Sequence, residues 1–165
     1  MILLVLTALV AALLDLTVFG EIRVAGVHGS LTAALVAVWT VTRGRQESMF
    51  LAPVAGLLLG LLGPGPLGAS VLALAPAVLL GALRRPDHEP RRFPLSVMAA
   101  GGGGMAYVII MGLIQTVATR SLPALQPLAV AALGGAAITA VLGTLVYLPV
   151  ARLAPSRGAG AAQRY

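Results

Sequence analysis

Apolar residues run along this chain in long unbroken blocks, separated by short polar segments and without the alternation that marks strands. Six blocks can be drawn, at residues 1–19, 30–42, 49–62, 69–83, 95–119 and 128–153, and the second could begin as early as Val24. Between them lie GEIRVAGVHG, RGRQES, GPGPLG, RRPDHEPRRFP and RSLPALQP, and no helix crosses the GPGP turn intact. In hydrocarbon the backbone must satisfy its own polar groups, which leaves helices or a closed barrel. Continuous apolar runs exclude the barrel. The pattern therefore predicts an all-α polytopic membrane protein of about six transmembrane helices. These form one domain over residues 1–153, followed by a short polar tail, 154–165, expected to be disordered.

Blocks three and four are short. At 1.5 Å per residue they reach roughly 21–24 Å, against a hydrocarbon core of about 30 Å. They read either as two short spans or as a re-entrant hairpin. Two spans are preferred, with the GPGP turn in a thinned or protein-lined region near the outer face.

Composition agrees. Hydrophobic residues make up 59% of the 165 and charged ones 10%, too few to cover a soluble domain of this size. The net charge of +6 comes from eleven arginines and no lysine. In a soluble protein that balance would suggest nucleic acid, but here the arginines fall between the apolar blocks and read as topology determinants. With the N-terminus on one side, that side collects Arg43, Arg45, Arg84, Arg85, Arg91, Arg92, Arg152, Arg157 and Arg164, nine in all. The opposite side holds two, Arg23 and Arg120. The bias places both termini in the cytoplasm of a multi-pass bacterial inner (plasma) membrane protein. The first block has no basic start and continues past Asp15, so it is expected to be a retained helix, not a cleaved signal. With no cysteine there are no disulfides or thiolate metal sites.

Few residues carry chemistry. Asp15 is the one ionisable group well inside an apolar block, and two readings stand. It marks a functional site, since a buried carboxylate is costly unless paired, or it lies within reach of headgroups with Arg23 as a partner. Gly56-Leu-Leu-Leu-Gly60, extended by Gly63, is a GxxxG face that lets helices approach closely, and packing inside the protein is preferred over dimerisation. The glycines at 101–104 read as a flat packing surface, with a hinge as the sharper alternative. RRPDHEPRR could meet anionic headgroups or a cytoplasmic partner, but is mostly a topology signal. The two histidines, His28 and His88, stand apart, and no HExxH or facing aspartate pair occurs. Gly68-Ala69-Ser70 matches a nucleophile turn by three letters only, with no histidine in the last two blocks to act as base. No catalytic, cofactor or metal site is expected, and the chain reads as a non-enzyme.

A family resemblance covers residues 15–83, half the chain. A first helix ends at a polar residue, Asp15, and an outer loop carries Gly26. A second helix closes on Arg43-Gly44-Arg45-Gln46-Glu47. A glycine-rich helix from Gly56 to Leu62 follows, and Pro66-Leu67-Gly68 leads into another apolar helix. This order resembles the MreD rod-shape-determining family. The chain departs from it at Gly29-Ser30, where members often carry Pro-Asp, and at Gly60, where an acidic residue is often found.

The resemblance implies a non-enzymatic membrane scaffold of the cell-wall elongation machinery. It would work with MreC, the MreB filament, RodA and a class B penicillin-binding protein, without nucleic acid or cofactor. Asp15, Gly56, Gly60, Gly63, Pro66 and Gly68 become the helix-packing or partner candidates. The arginine loops at 43–45, 84–85 and 91–92 would face the filament side. The family's fold is similar to that of the substrate-binding S-components of energy-coupling-factor vitamin transporters, which supplies the alternative function. A transporter subunit would need convergent polar groups, and His28, Trp39, Tyr107, Gln115 and Tyr147 are the few on offer; Ala8 and Ala12 supply an A-x-x-x-A docking spacing.

Overall fold

The computed structural model describes residues 2–19, 29–63, 68–83, 92–120 and 125–153. Six helices are seen, and no strand occurs among the described residues. Helix α1 is Ile2–Leu14 and runs directly into a π-helical segment, Asp15–Phe19. Then come α2 (Leu31–Arg43), α3 (Arg45–Leu62), α4 (Ala69–Ala82), α5 (Arg92–Thr119) and α6 (Leu125–Leu153). Arg23, Gly26, His28, Pro66, Arg84, Arg85, His88, Arg91 and the tail 154–165 lie outside the described residues. Arg45 and Arg92 are placed as the first residues of their helices.

Three expected boundaries are corrected. The polar segment RGRQES is not a loop: α3 begins at Arg45 rather than Met49, and Gly44 alone makes the turn. Gly44 has φ +100°, a conformation that suits a residue without Cβ, and its N–H donates to the Thr40 carbonyl at 3.0 Å. Ser48 Oγ then donates back to the Gly44 carbonyl at 3.0 Å, tying the new helix to the turn. Helices α5 and α6 likewise start at Arg92 and Leu125, ahead of the expected Leu95 and Leu128. Pro94 and Pro127 each fall in the first turn, where the missing N–H would have had no intrahelical partner.

Helix α2 is the axis of the molecule. Every residue from 32 to 41 is buried, and all five other helices touch it. Around it α1, α3, α4, α5 and α6 follow in that order, each packed against the next. The interior is made of small side chains, with alanines at 8, 12, 33, 34, 37, 55, 73, 77 and 100 among its members. Backbones can therefore come close. A Cβ on Gly56 of α3 would stand 2.6 Å from the Val71 Cα of α4, and one on Gly103 of α5 would stand 2.8 Å from Ala77 Cβ. The glycines at 101–104 stay within an unbroken α5, Gly102 and Gly103 facing α4 and Gly101 and Gly104 facing α6.

Lengths differ sharply. Two helices, α5 and α6, are long and apolar enough to cross a membrane, at 28 and 29 residues or about 42–44 Å. Helices α2 and α4 have 13 and 14 residues, about 20 Å each.

Candidate functional site

One group of interior polar residues gathers at the amino end of α2. Four N–H groups open any helix without an intrahelical acceptor. Ser30, in extended conformation, is the N-cap, and its Oγ accepts from the Ala33 N–H at 3.1 Å. The next two amides are taken by Asp15, fifteen residues back in the chain. Leu31 N–H donates to Oδ1 at 2.8 Å, and Thr32 N–H donates to Oδ2 at 3.0 Å. Ser30 Oγ also donates to Oδ2, at 2.9 Å. A carboxylate here complements the partial positive charge of the helix end, and charge-assisted bonds are shorter and stronger than neutral ones. Asp15 is thus a cap supplied from another helix.

Local structure at the end of α1 places that carboxylate. The chain widens into π-helix at Asp15, and Thr17 Oγ1 donates to the Leu13 carbonyl at 2.7 Å. A π-helical turn re-aims side chains relative to the α-helix before it, and such turns are frequent at functional positions.

The cluster extends to three more helices. The Ser30 N–H donates to Thr139 Oγ1 of α6 at 3.2 Å, and Thr139 is fully buried. Gly104 of α5 faces Thr139 so closely that a Cβ there would lie 2.5 Å from Thr139 Cβ. One turn along α5, Tyr107 lies beside Ser70 of α4 and near Asp15. Five helices therefore meet at one polar junction.

Its depth follows from residue counts. Thr139 is fourteen residues before the end of α6 at Leu153, and Ser30 is thirteen before the end of α2 at Arg43. Both distances come to about 20 Å along a helix axis. Helices α5 and α6 continue a further ~18–20 Å past Tyr107 and Thr139. The junction thus lies inside the apolar length of the two long helices, and Asp15 is paired with the α2 end. The Arg23 partnership lies outside the described residues.

The remaining candidates fall elsewhere. Gly56 forms the α3–α4 crossing and Gly60 is buried one turn on. Gly63 closes α3, its N–H donating to the Leu59 carbonyl at 2.8 Å, and a Cβ there would lie 3.3 Å from Leu16 Cδ2. Gly68, at φ +90°, opens α4. At the opposite end of α2, the Arg43 guanidinium covers the Trp39 ring at 4.8 Å and pairs with Glu47 at 3.6 Å. Trp39 Nε1 and Thr32 Oγ1 are buried without a hydrogen-bond partner among the described residues.

Chemically the junction holds helices. Both Asp15 oxygens are engaged by donors, and Ser70 faces a tyrosine instead of a base. Among the described residues no three metal-ligating side chains come together. Of the polar residues named for a small-molecule pocket, Tyr107 belongs to the junction, His28 lies outside the described residues, and the other three lie apart from it. Trp39 lies under Arg43, Gln115 is exposed, and Tyr147 packs edge-on against Phe93 at 5.2 Å. The pairing of Asp15 with the α2 amides was not legible from sequence spacing, because it spans a polar segment of unknown path. Thr139 carries no signal in the sequence, a lone hydroxyl in an apolar block, and Ser70 stands out only through the three-letter Gly68-Ala69-Ser70 match.

Comparison with protein-family models, with curated proteins and with solved structures finds no match to this chain.

Proposed function

We propose that this chain is a polytopic inner-membrane scaffold of the MreD type, without enzymatic activity, in the machinery that elongates the cell wall. On this reading all six helices lie in the bilayer with both termini in the cytoplasm, following the nine-to-two arginine bias. The partner is the membrane span of MreC, with MreB, RodA and a class B penicillin-binding protein in the wider assembly.

The observation that carries the reading is how the polar groups are used. Asp15, Ser30 and Thr139 join three helices through hydrogen bonds, and both oxygens of the Asp15 carboxylate are taken up by donors on α2 and its cap. A second support is the placement of bulk. The interior is rich in alanine, while Leu83, Met98 and Val117 are each at least 74% exposed, as suits a molecule surrounded by lipid. The residues of the family resemblance, from Asp15 to Gly68, also include the buried cap, the α3–α4 crossing and the αL start of α4.

The rival reading, a vitamin-binding transporter subunit of S-component type, needs convergent polar groups, and of its candidates Trp39, Gln115 and Tyr147 lie away from the junction that holds Tyr107. Two measurements separate the two. Tagged protein purified from native membranes is expected to bring MreC with it, and a folded protein that never does so rejects the scaffold. Thermal stabilisation by a member of a vitamin panel would favour the transporter subunit.

A further inference from the structure

We draw no further inference here: the strongest candidate, the apolar groove between α3 and α4 lined by Met49, Ala52, Pro53, Ala75, Val78 and Leu79, is an unpartnered apolar face, and nothing in the structure shows what covers it.

Discussion

Asp15 and Ser30 form a reciprocal cap on α2: Ser30 Oγ donates to the Asp15 carboxylate at 2.9 Å while accepting from the Ala33 N–H at 3.1 Å. With the Leu31 and Thr32 amides also bound to Asp15, the first turn of the central helix depends on a side chain from α1. Asp15→Asn keeps the shape but turns one acceptor into a donor facing a donor. Asp15→Ala removes both. Each is expected to cost about 1–3 kcal/mol, since a half-buried amide is left without its partner. Thermal unfolding in detergent checks this. An unchanged midpoint in both variants would remove the cap from the account of stability.

The four glycines of α5 give a graded prediction, because their surroundings differ. A Cβ at 101 would meet Ala140 Cβ at 3.4 Å, an ordinary contact. At 102 it would meet only the flexible end of Leu80, at 2.9 Å. At 104 it would lie 2.5 Å from both Cβ and Oγ1 of Thr139, which is held in place by the Ser30 N–H. Gly101→Ala should therefore be neutral or stabilising, by up to about 1 kcal/mol from helix propensity. Gly104→Ala should destabilise by about 1–3 kcal/mol through overpacking. Gly102→Ala should fall between them. Melting temperatures of the three variants give the order, and a Gly104→Ala protein as stable as Gly101→Ala would contradict the packing described.

Much of the fold is legible along the chain because long apolar blocks leave a one-dimensional signal. Each of the six apolar blocks holds one of the six helices, and with the π-helical segment Asp15–Phe19 counted as the continuation of α1, the end of each block is within a residue of the helix end. Starts were harder to read. Arg45, Gln46, Glu47 and Ser48 are polar and suggest a loop, yet they are the first turn of α3. A helix end at an interface is polar for the same reason that a loop is. The junction was half visible. An aspartate inside an apolar block announces that a partner exists, but the partner is a set of backbone amides, which no side-chain pattern reveals. Thr139 and Tyr107 reach it only through the packing of α5 and α6 on α2, a property of the assembled bundle.

At the other end of α2, Trp39 is the only tryptophan of the chain, 1% exposed and covered by the Arg43 guanidinium at 4.8 Å. Its fluorescence therefore reports on one contact. Arg43→Gln removes the cation from over the ring, costing about 0.5–1 kcal/mol. Quenching of Trp39 by acrylamide should rise. Arg43→Lys keeps the charge but loses the flat stacking surface, and should be intermediate. Equal quenching in all three proteins would show that Arg43 does not shield the indole in solution.

Gly56 separates the two uses of a GxxxG face. In this structure its partner is internal: a Cβ would stand 2.6 Å from Val71 Cα and 2.8 Å from Val71 N, backbone atoms that cannot turn aside. Gly56→Val should force α3 from α4 and destabilise by 3 kcal/mol or about that, the upper range for overpacking. The same substitution in a dimerisation motif would leave the monomer intact and abolish association. The chain has no native cysteine, so a single one introduced at Leu61, 67% exposed on α3, gives a clean cross-linking reporter. The expected result is a large fall in melting temperature for Gly56→Val, with no cross-linked dimer in either background at Leu61→Cys. A dimer that forms in the parent and vanishes in Gly56→Val, at unchanged melting temperature, would move this glycine from the interior of one molecule to the contact between two.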